Sequence, residues 1–260
     1  MTATDPVRTL VAQTDPVLGD VAANEATAEE ILSEARAIGC DLVVFPELFL
    51  TGYHIGDDAA ALTAHAEAAL DRLRAATTDL VVVIGTPVAS EPGIRNAAVI
   101  IDDETLVGRY DKTHLWGDEP SIFEPGDEFP TFETHAGTIG VQICYDVEFP
   151  EVSRSLAMNG ADTLVTISAN MRPHTRDQEL YHGVRALENG CPHVLCNRVG
   201  EERGVDFFGE SGIVTHRGRR ILALGSDVVQ ASAGRIPADP DRSNTHEYLN
   251  DRQPDLYDLS

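Results

Sequence analysis

Residues 138–151 read TIGVQICYDVEFPE. The apolar run 139–143 has the length and composition of a buried strand. It ends on Cys144. Tyr145 and Asp146 follow, and after Phe149-Pro150 a helical pattern begins with proline in the first turn, where its missing N–H removes no helix bond. A strand that turns sharply into a helix with a reactive side chain on the bend is the geometry of a nucleophile elbow. The bend lifts the thiol out of the sheet and points backbone N–H groups at whatever the sulfur attacks. A buried core cysteine is the commoner fate of a free thiol, so Cys144 takes on a chemical reading only in the company of other residues.

Outward from this stretch, strands are expected at 9–13, 42–45, 80–84, 96–101, 106–110, 129–134, 163–168, 191–197, 211–215 and 221–224. Helical spacing runs from Asn24, an N-cap candidate, through Ala35, and again over 62–73, 150–158 and 177–188. A turn is expected at Gly85-Thr86-Pro87. Two halves, each a strand–helix–strand unit followed by hairpins, predict an α/β fold of two stacked sheets with helices outside. No linker, repeat or low-complexity run divides the chain, so 1–260 reads as a single domain. Its acidic, weakly periodic C-terminal tail, 226–260, must pack on something or stay loose.

The length of 260 residues permits a large core, and a hydrophobic content of 42% places the chain among globular proteins. No apolar run approaches a membrane span, and no secretory signal pattern opens the sequence. Four cysteines at 40, 144, 191 and 196 form no CxxC pair, which fits a reducing, cytoplasmic setting. A formal charge of −24 disfavours nucleic acid as a partner, because phosphate binding needs a basic surface. The acid is spread along the chain, a pattern expected of a halophile, where salt screens the self-repulsion.

The cations are 18 arginines and a single lysine, Lys112. An ammonium is a compact point charge with a shiftable pKa, so a lone lysine suggests a task that guanidinium cannot do. Glu47, Lys112 and Cys144 each stand just beyond an apolar strand, where sites form in sheets of this kind. A thiol needs a base to become a thiolate, and a carboxylate raised by burial can serve. An ammonium can hold the oxyanion of a tetrahedral intermediate. Of nine histidines none lies in a comparable motif, His114 being the nearest candidate for a Cys–His pair. Cys191, Cys196 and Cys40 read as core rather than as metal ligands.

These motifs resemble those of the nitrilase superfamily of carbon–nitrogen hydrolases. Phe45-Pro46-Glu47 with Thr51-Gly52-Tyr53 is similar to its glutamate motif, Tyr110-Asp111-Lys112-Thr113-His114-Leu115 to its lysine motif, and Gly140 to Asp146 with Phe149-Pro150-Glu151 to its cysteine motif. Further similarity runs through residues 119–126, 185–189, 208–211 and 251–257, covering roughly residues 8 to 257. The resemblance implies a four-layer αββα sandwich that dimerises to αββααββα, with the tail reaching over the partner. It implies Glu47 as general base, Lys112 as oxyanion stabiliser, Cys144 as nucleophile and Glu119 as a second glutamate that positions substrate or base. The Tyr145 backbone N–H would complete the oxyanion hole, Tyr53 would contact substrate, and no cofactor or metal is implied. A homodimer or higher even oligomer is expected.

Tyr145-Asp146 follows the cysteine where the nitrile-cleaving branch shows Trp-Glu, so the expected substrates are small amides or N-carbamoyl compounds. Nitrile hydrolysis, and a catalytically silent binding protein of the same fold, are the competing readings. Asn170-Met171-Arg172 follows the strand at 163–168, at the same rim as Cys144. Arg172 either binds a substrate carboxylate bidentately or only pairs with surface acids.

Overall fold

The structure is a computed structural model that describes residues 6–237 and 248–257. The first half runs β1 (Val7–Gln13), α1 (Val21–Ala37), β2 (Leu42–Val44), α2 (Ala59–Arg74), β3 (Val81–Ala89), β4 (Ile94–Asp102) and β5 (Thr105–Asp111). The second runs β6 (Thr131–Thr134), β7 (Gly137–Ile143), α3 (Pro150–Met158), β8 (Thr163–Ser168), α4 (Thr175–Asn189) and β9 (His193–Asn197). A hairpin of β10 (Val199–Glu202) and β11 (Val205–Phe208) follows, then β12 (Gly212–Val214), β13 (Arg220–Ala223) and β14 (Gln230–Ile236).

Two six-stranded sheets form, in the orders β14-β1-β2-β3-β4-β5 and β13-β12-β9-β8-β7-β6. Strands β1, β2 and β3 are parallel, as are β7, β8 and β9, because each pair is joined by a crossover helix. Side chains alternate between the two faces. Leu42, Val44, Val81 and Val83 join a core with Ile139, Val141, Val165 and Val194 of the other sheet. Val43, Val82 and Ile84 instead pack with Ile31, Leu32 and Leu73 of α1 and α2. On the far face, Leu164 packs with Val152 and Leu156 of α3. Period-two alternation on strands buried on both faces thus produces the expected αββα sandwich.

Three local expectations are corrected. Asn24 does not cap α1. Asp20 does, accepting from the Ala23 N–H at 3.0 Å, while Asn24 is buried inside the helix and bonds Val17 and Leu50. Gly85-Thr86-Pro87 is not a turn but part of β3, paired with β4 as far as Ala89. The parallel pairing to β2 ends at Val83, so Pro87 sits where only one neighbouring strand needs ladder bonds. The stretch after 226 is not wholly a tail, since β14 pairs antiparallel with β1 over seven residues and closes the edge of the first sheet. Of that expected tail, residues 238–247 and 258–260 lie outside the described residues.

Candidate active site

Glu47 follows β2 in a tight turn in which Leu48 has φ +49°. The turn lies against Gly85, where a Cβ would come within 2.2 Å of the Pro46 carbonyl, so only glycine admits it. The Glu47 carboxylate is buried. Oε1 accepts from Lys112 Nζ at 2.8 Å and Asn96 Nδ2 at 2.7 Å, and Oε2 from the Ala169 N–H at 2.8 Å. Burial raises its pKa, while the Lys112 charge opposes the rise.

Lys112 follows β5 and is buried. Its Nζ donates to Glu47 and, at 2.7 Å, to Glu119 Oε1. An ammonium has three N–H groups, so one is left for a further acceptor. Burial pulls the lysine pKa down, but the charges of Glu47, Glu119 and Cys144 outweigh it and the net shift is upward. Glu119 opens a 3-10 turn, Glu119–Ser121, and also accepts from the Tyr53 hydroxyl at 2.7 Å and the Trp116 N–H at 2.9 Å.

Cys144 ends β7 with φ +46°, a left-handed conformation that a non-glycine residue adopts under strain. The 3-10 segment Cys144–Glu148 leads into α3. Asp146, fully buried, fixes this bend. Its carboxylate accepts from the Ile143 N–H, the Tyr110 and Thr113 hydroxyls and the His114 N–H, tying the cysteine turn to the lysine loop. Burial and the Glu47 charge push the Cys144 thiol up, while Lys112 and a Ser168 hydrogen bond draw it down. The net shift is upward, so the resting group at neutral pH is the thiol.

A cavity of about 290 Å³ opens over Cys144. Its lining includes Tyr53, Trp116, Tyr145, Glu148, Ser168, Asn170, Asp177 and Tyr181. The fold thus brings Tyr53, Tyr145 and Asn170 to one chamber with Cys144. Arg172 stands apart from that lining. Its guanidinium donates to Asp206 at 2.8 Å and Asp227 at 2.7 Å. A second cavity of about 440 Å³ shares Gln178 with the first but contains none of Glu47, Lys112 or Cys144. Among the described residues no group of three or more His, Cys, Asp and Glu could hold a metal ion, and none of their helices is long and apolar enough to cross a membrane.

Sequence reasoning did not single out Asn96, Ser168, Asp146 as an anchor, or Gly85 as the position that admits the Glu47 turn. Asn96 and Ser168 lie within strands, where a polar residue in an apolar run is the available signal. Asp146 sits inside the cysteine motif, but its partners come from β5 and the loop beyond it, which no local pattern reveals.

A cysteine beside a buried carboxylate–lysine–carboxylate chain, at the strand ends of an αββα sandwich, defines a thiol hydrolase class. The carbon–nitrogen hydrolase family matches residues 9–236. The chain is 37% identical to a probable nitrilase of Schizosaccharomyces pombe, over 84% of this chain and 84% of that protein. It is 34% identical to an (R)-stereoselective amidase of a Pseudomonas species, over 82% and 80% of the two chains. Among solved structures it superimposes with a TM-score of 0.85, at 28% identity and over 98% and 96% of the chains, on a glutamate-to-glutamine mutant of the amidase from Nesterenkonia sp. AN1. That structure shows covalent addition of the acetamide moiety of fluoroacetamide at its active site cysteine. This chain belongs to the carbon–nitrogen hydrolase family, and it is a cysteine hydrolase acting on C–N bonds.

Proposed function

We propose that the protein hydrolyses small amides or N-carbamoyl compounds through a thioester on Cys144. The observation that carries this reading is the buried Lys112 ammonium, bound to both Glu47 and Glu119 and close enough for all three charges to act on the Cys144 thiol. Glu47 takes the thiol proton as the sulfur attacks the carbonyl carbon. Lys112 and the Tyr145 N–H stabilise the oxyanion. The C–N bond breaks as Glu47 returns the proton to the leaving amine or ammonia. Water, giving a proton to Glu47, then attacks the thioester, and the acid leaves as the thiol re-forms.

The cavity lining contains Glu148 and Asp177 but no arginine or lysine, which favours neutral or cationic amides over carboxylate-bearing ones. Asp146 is fully engaged in holding the bend, so the Tyr145-Asp146 pair supports the amide reading over nitrile cleavage through its position in the motif alone. Free thiols suit a reducing cytoplasm. The test is a panel of small amides, N-carbamoyl compounds and nitriles, run with wild type and Cys144→Ala. Amides or carbamoyl compounds should be turned over by wild type only. A nitrile as best substrate, or wild-type turnover by Cys144→Ala, would overturn the reading.

A further inference from the structure

Behind the Tyr53 side of the cavity lies a buried ion pair that the chemistry above does not use. Arg198, between β9 and β10, is fully buried, with its guanidinium 4.2 Å from the Phe207 ring centroid. It donates to Glu202 Oε2 at 2.6 Å. Glu202 closes β10, and its carboxylate also accepts from the Tyr53 N–H at 3.1 Å, the His54 N–H at 2.6 Å and His54 Nδ1 at 2.8 Å. Gly52 lets the chain approach so closely, since a Cβ there would stand 2.9 Å from Glu202 Oε2 and 2.7 Å from the Leu18 Cα.

The segment so gripped carries the Tyr53 phenol. Its hydroxyl donates to Glu119 Oε1 at 2.7 Å, the same oxygen that accepts from Lys112 Nζ. One oxygen therefore shares its acceptor capacity between Tyr53 and Lys112, and Lys112 divides its donors between Glu119 and Glu47. Arg198 thus holds Glu202, Glu202 holds the Tyr53 backbone, and the Tyr53 side chain carries the connection on to its phenol, from which hydrogen bonds run through Glu119 and Lys112 to Glu47. Arg198 also donates its backbone N–H to the Ser168 carbonyl at 3.2 Å, and Ser168 lines the cavity with Cys144. The same pair thus borders the site from two directions. Burial works against ionisation of Glu202, but the His54 hydrogen bonds and the Arg198 charge bring its pKa down to about 2. It is a carboxylate at any working pH.

We propose that Glu202, locked by Arg198, is a positioning residue for the Cys144 centre: it sets the Tyr53 phenol against Glu119 and thereby fixes how Lys112 is shared between Glu119 and Glu47. This rests on the amidase reading for its rate consequences but not for its geometry. Losing the grip lets Tyr53 withdraw, and Glu119 then draws Lys112 away from the thiol. A small misplacement of a catalytic ammonium costs on the order of a hundredfold in rate.

The test is a double-mutant cycle of Glu202→Gln and Tyr53→Phe on the full chain. Each variant is read by kcat and KM on the best amide, by the pH profile of Cys144 alkylation with iodoacetamide, and by thermal melting. Each single variant should lower kcat roughly tenfold to a hundredfold, with KM changed much less. Each should move the alkylation profile to higher pH, because the thiolate loses its cation. The double variant should be no worse than the weaker single, since both break one chain. Independent, multiplying effects on kcat, or a fall in melting temperature with an unchanged alkylation profile, would make Glu202 structural only and overturn the proposal. Should Glu202→Gln fail to fold with Arg198 left unpaired, Arg198→Met/Glu202→Gln removes both charges together and is read the same way. Should wild type turn over no amide, the amidase reading fails by itself. The alkylation profiles then decide the positioning role, and coincident shifts in the two singles are required.

Discussion

Lys112 Nζ lies 2.8 Å from Glu47 Oε1, and neither side chain is reached by solvent. A pair this deeply buried is held by its partners, not by the strength of an exposed ion pair. Lys112→Arg keeps the charge but puts a planar fork where a point charge fits between two carboxylates. It should lower kcat by about two to three orders of magnitude, the scale of losing one oxyanion donor. Lys112→Ala leaves Glu47 and Glu119 buried without their cation and should cost about 3–5 kcal/mol of stability as well. Steady-state kinetics with a denaturant melt check both, and an active Lys112→Arg would remove the ammonium from the chemistry.

The site's acid–base behaviour fixes the direction of two pH effects. Glu47, the proposed base, must be ionised to take the thiol proton, and burial raises its pKa against the pull of Lys112. The acid limb of kcat/KM should therefore lie above the ordinary glutamate range. Stability has a separate handle. Burial lowers the His182 pKa from 6.5 to about 4, so the folded state binds fewer protons than the unfolded one in that window. Its contribution is present above 6.5 and is lost as pH falls towards 4. Urea melts across that range should show stability falling with pH, and His182→Gln should flatten the slope. An unchanged slope in that variant would place the acid sensitivity elsewhere.

The formal charge of −24 predicts a protein that strengthens with salt. At low ionic strength the acids repel one another over distances that multimolar salt screens to a few ångströms. Melting temperature should climb steeply between dilute buffer and multimolar KCl. Equal stability at both ends would count against halophilic adaptation.

The proposed triad was legible because each member stands in a long motif at the end of an apolar strand. Chemistry and local pattern coincide at Glu47, Lys112 and Cys144. Glu202 was not legible. Its partners, Tyr53 and His54, lie about 150 residues away in sequence, and Arg198 and Glu202 four apart carry no helical meaning in a hairpin. Strand β14, QASAGRI, falls in the acidic, weakly periodic stretch read as tail, and in the structure only its last residue is fully buried. An edge strand with neither an apolar run nor strict alternation gives little signal. The two sheets, in contrast, followed directly from runs of valine, leucine and isoleucine buried on both faces.

Leu180, Val184 and Leu187 stand exposed on α4 at spacings of four and three, with Met158 exposed at the end of α3. One helical face that leaves three large aliphatics in water fits an isologous contact with a second copy. The expected species is a dimer or a higher even oligomer. Val184→Glu with Leu187→Glu should shift the mass by light scattering towards the monomer. A monomeric wild type in multimolar salt with full activity would remove this surface from assembly.

Arg172 offers a direct test of what the cavity reads. Its position after β8 suggested a carboxylate-binding role. Yet Asp206 and Asp227 already satisfy its guanidinium, and its side chain stands 39% exposed. A substrate carboxylate would have to displace two anions to use it, while Glu148 and Asp177 at the cavity repel that carboxylate. Arg172→Ala should therefore change KM for neutral and carboxylate-bearing amides to the same small extent, since exposed ion pairs contribute little. A selective rise in KM for the carboxylate-bearing amide would instead restore Arg172 as a specificity residue. The complementary variant, Glu148→Gln, should improve kcat/KM for anionic amides relative to cationic ones by weakening the acidic lining. A ratio unchanged by Glu148→Gln would mean that the charge at the cavity mouth has no part in substrate choice.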